Sequence, residues 1–160
     1  MTEHGLDLSD DFTGRPGTAF VVGGSGGLGA AVVRELAARG SDVAFTYRQN
    51  EASAAQLAQT VSDLGRQAWT IGLDLRNHDG CAQAIDAIAE AAGGIHTLVY
   101  AAGPHVPQKH LSKVTPAEMQ EQLDADASGF FAVASPALPH LRQTEGSIVA
   151  VTTAATRRYP

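Results

Sequence analysis

Residues 18 to 29 read Thr-Ala-Phe-Val-Val-Gly-Gly-Ser-Gly-Gly-Leu-Gly. The apolar run Ala19-Phe20-Val21-Val22 has the character of a buried strand and stops at a cluster of five glycines. Directly behind it, Ala30 to Arg39 (Ala-Ala-Val-Val-Arg-Glu-Leu-Ala-Ala-Arg) has helical spacing. A strand, a glycine turn and a helix in that order make a seat for a phosphate. Gly23 permits the tight turn, Gly27 lets bare backbone approach a pyrophosphate, and Gly29 lets the helix lie close to the strand. The first helical turn adds unpaired N–H groups and about half a positive charge. A second strand-like run, Val43 to Tyr47, ends about 18 residues after Gly29, near where a ribose contact belongs. No Gly-Lys-Ser/Thr follows the turn, which removes a mononucleotide loop and leaves a dinucleotide.

The chain has 160 residues, enough for one domain with a sizeable core. Eleven basic against 17 acidic residues give a net charge of −6, with no basic run, so neither nucleic acid nor an anionic membrane is an expected partner. Cys81 is the single cysteine; no internal disulfide can form, and a reducing, cytoplasmic setting fits. The N-terminus is acidic and lacks the apolar stretch of a signal peptide, and no apolar run is long enough to span a bilayer.

Outward from the glycine turn, strand-like and helix-like runs alternate, the pattern of a parallel sheet with right-handed crossovers. Residues 1 to 17 are a polar tail, strapped across the domain, and residues 18 to 160 form the nucleotide-binding unit. Strands are expected at 18–22, 42–47, 68–73, 96–100 and 147–151. Helices are expected at 27–39, from Asn50 to about Leu64, and at 78–92. Thr115-Pro116-Ala117-Glu118 is a capping box with proline at the first helical position. The helix it opens is expected to reach about Arg142, bent at Pro136 and Pro139. Trp69 is expected in the core. His105 and His110 have no partner at zinc-ligand spacing, and no metal is expected. His4, His78, His96 and His140 read as surface or helix-end residues.

These segments together resemble the N-terminal part of a short-chain dehydrogenase/reductase, nearest to the 3-oxoacyl-carrier-protein reductases. The resemblance covers about Thr18 to Thr156. Val22-Gly23-Gly24-Ser25-Gly26-Gly27-Leu28-Gly29 is similar to the family's Thr-Gly-x-x-x-Gly-x-Gly turn, with Val22 in place of threonine. Asp74-Leu75 matches the pair that holds adenine, and Tyr100-Ala101-Ala102-Gly103 stands where the family has Asn-Asn-Ala-Gly. The implied fold is a three-layer, doubly wound α/β Rossmann-type parallel sheet in the order 3-2-1-4-5. The implied chemistry is hydride transfer between a nicotinamide cofactor and a small-molecule carbonyl or alcohol, and the family habit is a homodimer or homotetramer. On this resemblance Gly23, Ser25, Gly26, Gly27 and Leu28 hold the pyrophosphate. Asp74 and Leu75 take the adenine, and Ala101, Ala102 and Gly103 lie along the nicotinamide ribose.

Tyr47 stands where an NAD-preferring member carries an acid, and Arg48 follows it. A guanidinium grips a 2′-phosphate in a charge-assisted contact worth about 1.5–3 kcal/mol, so NADP(H) is preferred and NAD(H) is second. In the family's proton relay the serine position becomes Thr153, which keeps a hydroxyl, and the asparagine position becomes Asp126. The family's tyrosine and lysine would fall beyond Pro160. Tyr159 lies too close to Thr153, has no lysine four residues on and precedes a proline. The chain is thus expected to be part of a longer reductase, truncated before its catalytic tyrosine and lysine. The alternative is a non-catalytic NADP(H)-binding or assembly module derived from that fold.

Overall fold

The computed structural model describes residues 11–103 and 109–152. Its elements run β1 (Thr18–Val22), α1 (Gly27–Ala38), β2 (Val43–Tyr47), α2 (Glu51–Asp63), β3 (Ala68–Gly72), α3 (His78–Ala92) and β4 (Ile95–Tyr100), then α4 (Pro116–Leu123), α5 (Gly129–Gln143) and β5 (Ser147–Ala150). All strand pairs are parallel, in the order β3-β2-β1-β4-β5. This is the parallel sheet that the alternation of runs predicts, in the doubly wound order that the family resemblance implies. Its switch point falls between β1 and β4, the two strands buried along their whole length.

Alternation of side chains along β1 divides the core in two. Phe20 and Val22 pack with Ile85 and Ile88 of α3 and with Val133 and Leu141 of α5. Val21 points the other way, into a cluster with Val33 of α1, Phe45 of β2, and Leu57 and Val61 of α2. A central strand covered on both faces reads as an unbroken apolar run, which is why β1 and β4 are so conspicuous in the sequence. At the far edge β5 is exposed throughout, with Ile148 37% and Val149 48% accessible.

Residues ahead of β1 cross the sheet's N-terminal edge. Asp11 pairs with Arg39 at 3.0 Å, and the Phe12 N–H donates to the Arg39 carbonyl. Arg15 donates to the Glu145 carbonyl at 3.0 Å. The Phe12 ring stacks on His96 with centroids 5.3 Å apart. His96 is therefore not a surface residue as expected; it is buried beneath this segment. Ser41 sends its hydroxyl hydrogen to the Asp42 carbonyl at 2.6 Å, which leaves its oxygen to accept from His96 Nε2 at 3.2 Å. Thr97 Oγ1 faces Nδ1 at 2.9 Å. The pattern assigns a neutral ring with its hydrogen on Nε2. Burial pushes the imidazole down to about 4, with Arg15 acting in the same direction and Asp42 against it.

The long helix is also corrected. It is broken not at Pro136 and Pro139, which both lie inside an uninterrupted α5, but at a π-helical segment, Asp124–Ser128. Widening of the backbone frees a carbonyl, and Tyr100 takes it, its hydroxyl donating to the Ala125 oxygen at 2.7 Å. A Cβ at Gly129 would stand 3.0 Å from that hydroxyl and 3.1 Å from the Leu75 Cβ, so the glycine makes the fit. Burial first, then Asp126 and Cys81, push the Tyr100 phenol up to about 12.

Two predictions follow from this packing. The unfolded chain binds a proton on His96 near its ordinary 6.5 and the folded chain only near 4, so the contribution is complete above pH 6.5 and lost as pH falls toward 4. Urea denaturation at pH 7 and pH 4.5 should show wild type losing up to about 3 kcal/mol more than His96→Gln, and parallel losses would contradict the buried neutral ring. A Cβ at residue 29 would lie 2.2 Å from the Gly23 carbonyl oxygen. Gly29→Ala should therefore cost about 1–3 kcal/mol in the same assay, and a neutral result would mean that α1 does not press on the turn.

Candidate functional site

Open parallel sheets offer a crevice at the strand C-termini where the strand order reverses. Here that crevice is a cleft of about 560 Å³. One wall is the turn after β1, the second the ends of β2 and β3, the third the segment after β4, and the fourth α4 with the π-helical segment.

The turn is shaped by close approach. Gly23 has φ +77°, and a Cβ there would meet the Ala102 backbone at 2.8 Å. Its N–H donates to Thr46 Oγ1 at 2.8 Å, which ties the end of β1 to the end of β2. Thr46 lines the cleft and escapes sequence reading, because a threonine in a strand carries no signal of its own. The other helices that begin from a loop are side-chain capped: Asn50 caps α2, Asn77 caps α3, and Thr115 with Glu118 forms a capping box on α4. Each also carries an acid in its first turn. Helix α1 has neither a side-chain cap at Gly26 nor an acid in its first turn. Its leading N–H groups and positive dipole end are left to an anion.

Of the residues singled out in the sequence, Gly23, Ser25, Gly26, Tyr47, Arg48, Asp74, Leu75, Ala101, Ala102 and Gly103 converge on this cleft. Gly27 and Leu28 do not line it; both sit just behind its rim in the first turn of α1, with Leu28 57% exposed. Asp126 is exposed in the π-helical segment and also stands outside the cleft lining, although its charge reaches Tyr100. Thr153 and Tyr159 lie outside the described residues, as does His105. Trp69 packs against the core on the α3 side and does not line the cleft. Cys81 is buried, and burial pushes its thiol up. Among the described residues no three His, Cys, Asp or Glu side chains converge as a metal site, and no helix is long and apolar enough to cross a membrane.

Charge is divided unevenly around the cleft. Arg48 is exposed and makes no ion pair or hydrogen bond with another described residue, acting on Asp74 only through space. Asp74 is gripped by Arg76, whose Nη2 donates to Oδ2 at 2.6 Å. That contact holds the Asp74 carboxyl down at about 2. Arg76 is a second site residue missed in the sequence; an acid and an arginine two residues apart just past a strand were the available sign. The α4 wall carries Glu118, Glu121 and Gln122. Lys109, ahead of Thr115, donates to Glu118 and with it draws the carboxyl down to about 2. Gln122 was legible only as one turn beyond Glu118 on the same helix face.

Known proteins place this geometry in a family. The model of the short chain dehydrogenase family matches residues 17–160. The 3beta-hydroxysteroid dehydrogenase 1 of Eggerthella lenta is 30% identical over 144 residues, which span 89% of this chain and 54% of that protein. A Burkholderia cenocepacia short chain dehydrogenase, solved in complex with NADP, is 31% identical with a TM-score of 0.83, covering 91% of this chain and 59% of that one. A mutant short-chain dehydrogenase/reductase of Serratia marcescens superposes with a TM-score of 0.86 at 28% identity, over 93% of this chain and 59% of that one. The chain thus spans little more than half the length of these relatives. None of the three singles out the 3-oxoacyl-carrier-protein reductases. With its sheet order, its glycine turn and its match to the family model over nearly its whole length, the chain belongs to the short chain dehydrogenase family.

Proposed function

We propose that the cleft holds NADP(H) and that the whole protein is an oxidoreductase acting on a small-molecule carbonyl or alcohol. The observation that carries this reading is the uncapped, acid-free start of α1 beside a cleft that also presents Arg48, which pairs with no other described residue. A diphosphate suits the first feature, and a 2′-phosphate suits the second. The fit is tight at the turn, where a side chain at residue 23 would strike Ala102, so only bare backbone lies between ligand and sheet. The B. cenocepacia relative, solved with NADP, supports the same choice.

In this reading Gly23, Ser25 and Gly26, with the first turn of α1 at Gly27 and Leu28, hold the diphosphate. Arg48 holds the 2′-phosphate, Tyr47 lies against the ribose, and Asp74 with Leu75 borders the adenine. Ala101 to Gly103 flank the nicotinamide ribose. When bound, the cofactor supplies or accepts the hydride. Asp126 and Thr153 are this chain's contribution to proton handling and to orienting the carbonyl. A homodimer or homotetramer would meet along α5, where Phe131 is 70% exposed. The buried thiol of Cys81 suits a reducing, cytoplasmic compartment.

Cofactor choice tests the assignment. NADPH should raise the melting temperature more than NADH and bind roughly ten- to a hundredfold more tightly by calorimetry, since a charge-assisted contact is worth about 1.5–3 kcal/mol. Arg48→Asp should reverse the order. Equal affinities in wild type would remove Arg48 from the site. Tight NADPH retention without turnover of any carbonyl by the full-length protein would favour the non-catalytic binding module instead.

A further inference from the structure

The junction of α4 and α5 leaves one backbone carbonyl without its helical partner. In an unbroken α-helix the Gly129 N–H would donate to the Ala125 oxygen, four residues back. Here it donates to the Asp124 and Asp126 oxygens instead, because the π-helical segment carries one extra residue. The Tyr100 hydroxyl takes the vacated place, donating to the Ala125 oxygen at 2.7 Å from the end of β4. Tyr100 is 4% exposed, and Phe130 meets its ring edge-on with centroids 5.4 Å apart. The ring therefore has a seat that does not depend on the hydroxyl.

That extra residue decides which face of α4 meets the cleft. Glu118, Glu121, Gln122 and Ala125 line it, a stripe with helical spacing. Gly129, Val133, Ala137 and Leu141 form the buried stripe of α5. From Glu118 to Gly129 is about three α-turns, so an unbroken α-helix would carry both stripes on one face. The insertion offsets them by about 100°, the rotation of one residue. Because α5 is anchored in the core with Ile85 and Leu98, loss of the insertion would turn α4 and leave α5 in place.

We propose that Tyr100 is a positioning residue of the cleft: its hydroxyl substitutes for the Gly129 N–H at the Ala125 carbonyl and so keeps the Glu118-to-Ala125 face of α4 turned to the ligand. The inference rests on the NADP(H) reading above for the ligand, and on the ligand-free chain for the winding. A part-buried carbonyl without a donor is costly. Without the hydroxyl, rewinding the junction as an α-helix returns the Gly129 N–H to Ala125 and removes that cost. Two windings are thus available, and one hydrogen bond from a neighbouring strand separates them. Glycine at 129 is part of the device. A Cβ there would stand 3.0 Å from the hydroxyl and crowd it off the carbonyl.

Spin labels read the winding in the intact, ligand-free protein: one on Met119→Cys in α4, paired in turn with Gln56→Cys on α2 and Glu90→Cys on α3. A turn of about 100° carries a side chain on α4 by about 5 Å or more, which changes at least one of the two distances. Tyr100→Phe keeps the ring and removes only the hydroxyl. It should move the α4 label and weaken NADPH binding about tenfold by calorimetry, the worth of one hydrogen bond. Placing 4-aminophenylalanine at residue 100, which restores a donor, should reverse both effects; a loss of general stability would move neither the labels nor their rescue. Label distances unchanged in Tyr100→Phe, a shift that the amino analogue does not reverse, or NADPH binding unaltered once the label has moved would overturn the proposal. If the phenylalanine variant fails to fold, Gly129→Ala decides, since crowding the hydroxyl should displace the same label. Failure of wild type to bind NADPH would instead strike the cofactor reading and leave the label distances to judge Tyr100.

Discussion

Helix α1 can come down on the end of β1 only because residue 29 has no side chain: a Cβ there would sit 2.2 Å from the Gly23 carbonyl oxygen. That contact sets the geometry of the whole C-terminal edge. It places the helix start over the sheet, holds Gly23 against Ala102 at the end of β4, and lets Thr46 bond the Gly23 N–H from β2. Three strand ends are thus locked around one turn before any ligand arrives. The N–H groups in the first turn of α1 are thereby preorganised, and donors of this kind bind an anion without reorganising, which suits the phosphate seat proposed above.

The cleft beside that turn is polarised. Positive features, the α1 dipole and Arg48, lie on the β1–β2 side, whereas Glu118, Glu121 and Gln122 lie on α4. Arg76 neutralises Asp74 between them. A long ligand with phosphates toward one wall and a neutral, hydrogen-bonding ring toward the other matches the division; a uniformly charged one does not. The α4 wall is itself held by a device that this chain builds from an aromatic side chain. Tyr100 occupies the position of an asparagine in the family pattern, and its hydroxyl captures the carbonyl that the π-helical segment releases.

How much of this could be read from the sequence depends on the range of the interactions involved. Strand β1, its turn and α1 are dictated by neighbours in the chain, as are the Asn50 and Thr115 caps, and all of these were legible to within a residue or two. The π-helical break at Asp124–Ser128 was not. Pro136 and Pro139 are the local breakers, but the tertiary partner that rewards a widened turn, Tyr100, is 25 residues away from Ala125. His96 was misread for the same reason, since its burial depends on Phe12 and Ser41, which are distant in sequence. Gln122 sits in a polar stretch (Glu118 to Asp126) where one more amide carries no signal; only the packed wall shows that its carbonyl is stranded.

The central claim is that a diphosphate rests on bare main chain at the start of α1. Amide-resolved NMR titration of the protein with NADPH reads those groups one by one. The account predicts that the largest amide shifts fall between Ser25 and Gly29, with the Arg48 side-chain signals moving in step. Shifts concentrated elsewhere, or none at saturating cofactor in folded protein, would contradict it.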